Sequence, residues 1–563
     1  MASEIYDRLS REGKVLLDEA ANFLEQHYDP ASHYVTLEYE GQSIISVRES
    51  MYYALALMIK NKENAWEEIE KICHAVIALQ INAPREVFHG VFRHSPEEPT
   101  PPMGQLDAQR LGLFGRYYAD YTHEQITDAF HQKLTQDPRL ADYTEKIEAL
   151  LNASVLETVP VVWDTYEPNI REFILMCFAM LQKYGEKRMS PALSEELNRS
   201  ARLAMEGAIT RSKSNFTPLN TNIQCMHIFL LDFYGERFHE ISWQDYAVSY
   251  AQKMLERYRE CHACAEFNSP TYCGVDLSTL GFLRRYSHNQ PLKLLAEELE
   301  KGIWRDMAEF YNPAMRNFCG PYSRAYELDM SIHTCFCDIL YWALGEDHFP
   351  WHPFSIESVI NPLTVLGDVR IPEDVKQDFL VPKQEQILYH RFRELSERGD
   401  PDHNSALCTA TGWITPDLMT GALSGSENPS YQLHPLVVFW RQQKGLGTIK
   451  LLRCLPDGKM THLHTIFFDG KADKSRITMD ISVQVRRDVD IFFEIEAHDL
   501  ERILITDSEW HFPGLDVCVK AQAPQFKLNK INERTIRIVY PSRTSDPASR
   551  TMHFDFQFRK TES

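Results

Sequence analysis

The chain has 563 residues, a length at which one hydrophobic core stops growing, so two or more domains are expected. Its 44% hydrophobic and 25% charged residues are typical of a globular protein and exclude general disorder. The formal net charge of -21 repels a phosphate backbone, so nucleic acid is not an expected partner, and an anionic substrate would need a local basic group or a bound cation.

The first 28 residues are charged from Glu4 onward and show the periodicity of an amphipathic helix rather than the apolar run of a signal peptide. No stretch approaches the roughly 18 consecutive apolar residues of a membrane span. A cytoplasmic location is therefore predicted. In that compartment the 12 cysteines are expected to be mostly reduced core thiols rather than a disulfide framework.

Residues 1–345 repeat apolar side chains at three- and four-residue steps, which predicts about a dozen helices. Helices in sequential hairpins suit either an (α/α)6 toroid or an α-solenoid. A solenoid would show a fixed repeat period, and none is found. Long polar and aromatic loops recur between the helices, which is the pattern expected if one end of a helical barrel carries a functional site. The prediction for this half is a catalytic (α/α)6 toroid.

The remainder of the chain has a different pattern of residue types. Residues 346–405 are rich in proline and charge, which indicates a linker. Residues 406–563 contain short β-branched and aromatic runs separated by turn residues, which predicts a C-terminal antiparallel β-sandwich. The expected fold is thus multidomain, α followed by β.

Several loops of the helical half combine aromatic, amide and charged side chains ahead of an apolar helix. Any one of them is also explained as a capped helix entrance with a packed aromatic ring. Because all of them share the pattern, a common cavity is predicted. The loops are residues 88–102, 161–172, 211–222, and 260–276 together with 317–331.

The loop at 260–276 carries the densest set of polar groups. Tyr272 offers a phenol that can donate or accept a proton. Hard oxygen ligands of the kind that Mg²⁺ prefers are offered by Glu266, Asn268, Ser269 and Asp276. The Cys261-x-x-Cys264 pair lacks a second pair at zinc-site spacing and lies at a helix end, so packing is its expected role.

The loop at 317–331 places Tyr322, Arg324 and Tyr326 at alternate positions. The planar guanidinium of Arg324 could clamp a carboxylate or a diphosphate, and a structural pair with Asp329 is the alternative. Four further polar residues suit either rim ligands or helix caps, namely Asp164, Glu167, Asn220 and Asn222.

These two loops and the predicted layout resemble a group of fungal and bacterial proteins in which a toroid precedes a β-sandwich. The resemblance rests on NSPTYCGVDL (268–277) and GPYSRAYELD (320–329). The architecture also resembles that of toroidal polysaccharide lyases and six-hairpin glycosidases. The chain also resembles the unconventional fungal humulene-type sesquiterpene cyclases, which, like this sequence, lack the usual aspartate-rich motif.

The cyclase resemblance implies an intracellular, Mg²⁺-dependent lyase of secondary-metabolite biosynthesis that ionises a prenyl diphosphate. The metal would be held by the four oxygen ligands named above, and Arg284 or Arg324 would grip the diphosphate in place of the family's lysine. That substitution is a departure from the family pattern. Ring faces that would stabilise a carbocation belong to Trp163, Phe267, Tyr272 and Tyr322.

The lyase resemblance implies a different reaction on a uronide oligosaccharide. Tyr272 or Tyr326 would abstract the proton next to the uronate carboxylate, while Asn222 and Arg324 neutralise that carboxylate. The predicted absence of a signal peptide counts against a polymeric substrate but not against a small one. A non-enzymatic binding protein is the third interpretation. Assembly as a homodimer is compatible with each of the three.

Overall fold

The structure is a computed structural model, and it describes most of the two predicted domains. The described residues are 2–39, 42–61, 64–98 except 85 and 87, 100, 133–134, 136–140, 143, 146–147, 149–150, 167–214, 220–330, 335–349, 361–395, and 405–561 except 464, 486 and 502.

The N-terminal half is helical. We label its described helices and the short helix that follows them α1 to α12 in chain order: Ala2–Arg8, Arg11–His27, Val47–Lys60, Ala65–Ile77, Ile170–Gly185, Pro191–Ser214, Thr221–Arg237, Ile241–Cys261, Tyr272–Tyr286, Gln290–Phe310, Cys335–Leu344 and Glu373–Leu380. Of the helices described, none is both long and apolar enough to cross a membrane.

Six of the described helices contact one another in a closed ring, in the order α2, α3, α5, α7, α9, α11 and back to α2. A second layer surrounds them: α4 contacts α3, α6 contacts α5 and α7, α8 contacts α7, and α10 contacts α9. Two concentric layers of alternating helices are the arrangement of an (α/α)6 toroid. The predicted fold of the helical half is confirmed.

The sequence explains which helices lie inside. Helix α3 is apolar around nearly its whole circumference and is buried from Met51 through Ile59. Helix α8 instead buries a single stripe, which includes Ala247, Ala251 and Met254, and exposes its charged face. The inner helix α3 is thus enclosed on nearly all sides, whereas the outer helix α8 packs on one face only. Helix α2 is an exception in the inner ring, because it buries one stripe that includes Leu16, Leu17 and Leu24.

The C-terminal half is a β domain. We label the strands of the chain β1 to β19: Tyr28–Asp29, Tyr34–Tyr39, Gln42–Ser46, Tyr311–Asn312, Asn317–Phe318, Gln386–Arg393, Leu407–Ile414, Leu418–Ser426, Leu436–Arg441, Leu446–Cys454, Ile466–Asp473, Arg476–Val483, Val489–Glu496, Leu504–Ile505, Glu509–Phe512, Leu515–Gln522, Lys527–Lys530, Thr535–Ser542 and Thr551–Lys560.

Strands β6 to β19 form one continuous antiparallel sheet that folds back on itself at β8. The first part of β8 pairs with β9, and that layer continues through β10, β13, β18 and β17. The end of β8 pairs with β11, and the second layer continues through β12, β19, β16, β15 and β14. Aromatic rings join the layers, with ring centroids of Phe493 and Phe554 5.2 Å apart and those of Trp440 and Phe512 5.9 Å apart. The predicted sandwich is confirmed.

The segment predicted as a linker contributes to the folded domains. Within residues 346–405, helix α12 contacts α10, and strand β6 pairs with β7 along its full length, from Gln386 opposite Ile414 to Arg393 opposite Leu407. Proline and charge at 372–385 suggested a linker, but the alternation that follows from Gln386 is that of an edge strand. The sheet therefore begins before residue 406.

The two domains share an extensive interface. Phe267 of the helical half stacks on Phe392 of β6 at 4.6 Å between ring centroids. At the rim Arg393 pairs with Glu260. Deeper in the interface, Tyr322 and His434 exchange backbone hydrogen bonds of 3.2 and 3.0 Å in an isolated antiparallel bridge. The loop that carries Arg324 is thereby fixed to the β8–β9 connection.

We expect substitution Gly421→Ala to destabilise this interface. A Cβ atom on Gly421 would lie 2.0 Å from the carbonyl oxygen of Gly320, so one backbone must move. Overpacking of this kind typically costs about 1–3 kcal/mol. Gly13→Ala is the matched control because its Cβ would meet only ordinary contacts of 3.5 Å, and it should stabilise helix α2. Urea unfolding of both variants checks this, and equal stability would contradict it.

Candidate active site

A sharp turn between α8 and α9 positions the first residues of the candidate site. Asn268 has a φ of 54°, in the left-handed region that asparagine tolerates better than most residues. Its side-chain amide donates to the carbonyls of Cys319 and Pro321, at 2.7 and 2.9 Å. The hydroxyl of Ser269 then accepts from the N–H of Tyr272 at 3.0 Å, which starts helix α9 at that residue.

Glu266 joins three parts of the fold although its side chain is almost completely buried. One carboxylate oxygen accepts from the backbone N–H of Asn222, at the start of α7, at 3.0 Å. The other accepts from Nη1 of Arg324 at 2.9 Å. A negative charge is favourable at a helix N-terminus and beside a guanidinium. Glu266 therefore holds Arg324 in position.

Arg324 lies directly over the ring of Tyr272, with its guanidinium carbon 4.5 Å from the ring centroid. Its Nε donates to the side-chain oxygen of Gln432, which also accepts from the hydroxyl of Tyr272 at 3.4 Å. Gln432 belongs to the β8–β9 connection of the sandwich. The β domain thus orients both the cation and the phenol of the site.

Tyr326 extends this cluster toward solvent. Its ring centroid lies 6.1 Å from that of Tyr272, and 41% of its surface is exposed. Burial raises the pKa of Tyr272 well above its ordinary value, Arg324 lowers it in part, and Tyr326 raises it further. At neutral pH the Tyr272 phenol is therefore protonated.

Asp276 lies one helical turn below this cluster and is completely buried. Neither of its carboxylate oxygens has a hydrogen-bond partner within the described chain. Burial raises the pKa of Asp276 well above its ordinary value, and the charge of Glu266 raises it further. The neighbouring buried thiols of Cys225, Cys264 and Cys273 complete an apolar setting in which the neutral acid is favoured.

This burial predicts a pH dependence of stability that Asp276→Asn should remove. A carboxyl whose folded pKa is raised contributes its full stability below its unfolded pKa of about 3.9 and loses it as the pH rises toward the folded pKa. Between about pH 5 and about pH 8, wild-type stability should therefore fall relative to the variant, by at most about 1.4 kcal/mol per pH unit. An equal difference in the free energy of unfolding between wild type and Asp276→Asn at the two pH values would contradict this.

Other predicted site residues have structural roles or lie elsewhere. Arg284 pairs with Glu300 at 2.9 Å and Asp368 at 3.3 Å and does not reach Tyr272. Tyr322 is fully buried and donates its hydroxyl to the Phe318 carbonyl at 2.7 Å. Phe267 is packed in the domain interface. Trp163, like Asp164, lies outside the described residues.

The predicted Mg²⁺ ligands do not fit a metal site. Both carboxylate oxygens of Glu266 accept hydrogen bonds, and the Ser269 hydroxyl donates to the Arg324 carbonyl at 2.6 Å. Asn268 presents its amide nitrogen to two carbonyls, its amide oxygen has no partner in the described chain, and burial disfavours the charged form of Asp276. Among the described residues there is no group of three or more His, Cys, Asp or Glu side chains that could hold a metal ion. Mg²⁺ dependence stays a prediction that these contacts do not support.

The alternative role as a helix cap is found for part of the group of four polar residues Asp164, Glu167, Asn220 and Asn222. Glu167 accepts from the backbone N–H of Asn169 at 2.9 Å, ahead of α5, and Asn220 precedes α7 without a side-chain cap bond. Asn222 is buried beside Glu266, and its side-chain oxygen has no partner in the described chain. Arg324 pairs with Glu266 rather than with Asp329 among the ion pairs described.

One residue of the site was not anticipated. Gln432 comes from a loop of the sandwich, 108 residues from Arg324, and nothing in its local sequence marks it. Its contacts with Arg324 and Tyr272 form only where the sandwich packs against the toroid.

The fold and the site together define a helical toroid that carries a tyrosine pair and an arginine where it meets a β-sandwich, and the sandwich supplies a glutamine to them. A family model described as "Domain of unknown function (DUF8769)" matches residues 14–122 and 119–359, more than half of the chain. The chain belongs to this family.

Further comparisons concern curated proteins and solved structures. No curated protein matches the sequence. A structure titled as heparinase III is 9% identical, with a TM-score of 0.35, and the match covers 95% of this chain and 94% of that one. A heparinase III gene product is 8% identical, with a TM-score of 0.32 and coverage of 99% and 85%. The chondroitin AC lyase of Streptomyces coelicolor A3, solved with chondroitin sulphate, is 10% identical, with a TM-score of 0.37 and coverage of 98% and 83%.

Proposed function

We propose that this protein is a lyase that cleaves acidic oligosaccharides by β-elimination next to a uronate. The observation that carries the proposal is the placement of the Arg324 guanidinium over the ring of Tyr272, with the exposed phenol of Tyr326 beside them. An elimination of this kind needs a cation for the carboxylate, a base for the adjacent proton and an acid for the leaving oxygen. The cluster offers a candidate for each.

Arg324 is suited to bind the uronate carboxylate. Its guanidinium is held by Glu266 and Gln432, so a bound carboxylate would meet a cation that is already oriented. Neutralising the carboxylate stabilises the negative charge that develops when the neighbouring C–H bond breaks. The buried amide of Asn222, next to Glu266, is a second donor that could share this role.

The two tyrosines are suited to opposite proton transfers. Because the Tyr272 phenol is protonated at rest, it can deliver a proton to the oxygen of the leaving sugar. Tyr326, which is exposed and lies beside the Tyr272 ring, would act as its phenolate and take the proton next to the carboxylate. The C–H and C–O bonds break, a C=C bond forms, and the proton released balances the proton supplied, so no water is consumed.

The prenyl diphosphate interpretation has less support in the site. It requires Mg²⁺, and of the groups predicted to bind this ion the Glu266 carboxylate and the Ser269 hydroxyl already make hydrogen bonds within the protein. The matched structures are titled as heparinase III and chondroitin AC lyase, which name chemistry of the class proposed here, but the proposal rests on the residues and not on those likenesses.

The test is direct incubation of the purified protein with hyaluronan, chondroitin sulphate and alginate oligosaccharides. Elimination creates a conjugated double bond, so ultraviolet absorbance should rise, and mass spectrometry should show an unsaturated product with no added water. A parallel incubation with farnesyl diphosphate and Mg²⁺ tests the prenyl diphosphate interpretation. Hydrocarbon product there, with no unsaturated sugar in any of the three incubations, would overturn the proposal.

A further inference from the structure

The connection between β8 and β9 carries Gln432 into the candidate site, and this residue is held by its backbone as well as by its side chain. Its N–H donates to the hydroxyl oxygen of Ser430 at 3.2 Å, and its carbonyl accepts from the N–H of Ala325 at 3.0 Å. Its side-chain oxygen accepts from Arg324 and Tyr272. The position of the amide therefore depends on the backbone conformation of the connection.

Arg453 of β10 fixes the middle of this connection. Its Nη2 donates to the carbonyls of Asn428 and Ser430, each at 2.9 Å. The side chain of Asn428 accepts from the N–H of Ser430 at 2.9 Å and donates to the carbonyl of Ser323, in the helical half, at 3.3 Å. One guanidinium thus holds the two residues that link Gln432 to the rest of the sandwich and to the toroid.

Packing of the sheet does not account for an arginine at this position. Ile449 and Leu451 precede Arg453 at two-residue steps on the same face of β10 and are apolar, and the Arg453 side chain is 1% exposed. Burial of a charge costs free energy unless its donors are satisfied. Burial lowers the pKa of Arg453 to about 10 and the charge of Glu394 raises it in part, so the side chain is a cation at neutral pH. Its described hydrogen bonds all go to the connection.

Glu394, the residue after β6, holds the beginning of the same connection. Its carboxylate is 1% exposed and accepts from the hydroxyl of Ser426 at 2.7 Å and from the backbone N–H of Glu427 at 2.6 Å. Two buried groups of opposite charge, on two different strands, therefore bind successive parts of one loop. A loop restrained in this way presents its side chains in a fixed place.

We infer that Arg453 is a positioning residue of the candidate site. It acts through Asn428 and Ser430 on Gln432, and so sets the orientation of the Arg324 guanidinium and the Tyr272 phenol from within the sandwich. The kinetic consequence of this inference rests on the proposed function, whereas the structural consequence does not. Small displacements of groups that orient a substrate or a catalytic side chain reduce rates strongly, by up to about 100-fold for 1 Å.

A double-mutant cycle with Gln432 tests the route by which Arg453 acts. The substrate is whichever oligosaccharide of chondroitin sulphate, hyaluronan or alginate the wild-type protein cleaves. Arg453→Met should lower kcat/KM by about 10- to 100-fold, and Gln432→Ala should do the same. In the Gln432→Ala background Arg453→Met should cause no further loss of kcat/KM, because the group through which it acts is gone. A merely structural role would lower kcat/KM equally in both backgrounds.

A second variant keeps the test independent of folding and of activity. Arg453→Lys retains the buried charge, but its shorter side chain places the donor nearer to β10, so the connection must shift to keep either hydrogen bond. A crystal structure of this variant should show the Gln432 amide displaced from Nε of Arg324. The matched control is Arg543→Met, because Arg543 also donates to two carbonyls of the sandwich, those of Val489 and Ser542 at 2.9 and 3.2 Å, and none of its described contacts lies in the connection. It should leave kcat/KM and the position of Gln432 unchanged.

The inference and the proposed function fail in different ways. An undisplaced Gln432 in the Arg453→Lys structure would overturn the inference, as would a loss of kcat/KM that is equal with and without the Gln432 side chain. A wild-type protein that cleaves none of the three oligosaccharides would overturn the proposed function, and the position of Gln432 in the Arg453→Lys structure would still decide the inference.

Discussion

Substitution Tyr272→Phe is expected to reduce kcat on a uronide oligosaccharide by about 10²- to 10⁴-fold, the usual contribution of a positioned acid or base. The phenylalanine ring keeps the contact with the Arg324 guanidinium, so binding of the carboxylate should survive. The lost hydrogen bond to Gln432 is long, at 3.4 Å, and its removal should change the free energy of unfolding little. Initial rates, followed by ultraviolet absorbance, measure the effect.

Tyr322→Phe is the matched control for this prediction. Tyr322 is also a buried tyrosine of the same interface, but its hydroxyl donates to the Phe318 carbonyl rather than facing Arg324. Its substitution should lower the free energy of unfolding by about 1 kcal/mol and leave kcat near the wild-type value. If Tyr272→Phe retained full activity, or if both variants lost activity equally, Tyr272 would not be the group that transfers a proton.

The helical half could be predicted from sequence to a useful level because its signals are local. Periodicity identified α3 and α5 as helices, and their apolar surfaces indicated full burial. The change to β-branched runs likewise identified the sandwich. The start of the sheet was harder to place, since β6 is an edge strand with exposed Ile387 and Tyr389 and follows a proline-rich segment.

The site was only partly predictable because its contacts join distant parts of the chain. Tyr272, Glu266 and Arg324 were selected by residue type, and the structure brings all three together. Their roles could not be read in the same way, since Glu266 offers the same oxygens to a metal or to an arginine 58 residues away. Only the fold shows that these oxygens are already engaged. Gln432 comes from another domain, so its contact with Arg324 depends on how the two halves pack.

The ion pair between Glu266 and Arg324 is expected to dominate the stability of the site. Both side chains are largely buried, at 4% and 19% exposure. Substitution Arg324→Gln would leave a buried carboxylate without its cation, and the loss of one partner of such a pair typically costs about 3–5 kcal/mol. We therefore expect a large fall in the free energy of unfolding, measured in urea, in addition to the loss of activity.

A double-mutant cycle tests whether this loss comes from the stranded charge. If it does, Glu266→Gln combined with Arg324→Gln should be more stable than Arg324→Gln alone, because the neutral amide no longer needs a cation. Arg259→Gln is the control, since Arg259 and Glu298 form an even shorter pair, at 2.6 Å, whose side chains are 49% and 42% exposed, and its loss should change the free energy of unfolding very little. Strictly additive effects of the two site substitutions would mean that Glu266 does not depend on Arg324. In that case the orientation of the arginine over Tyr272 would have to come from Gln432, and the β domain, rather than the turn at 266–272, would position the group that is proposed to bind the uronate.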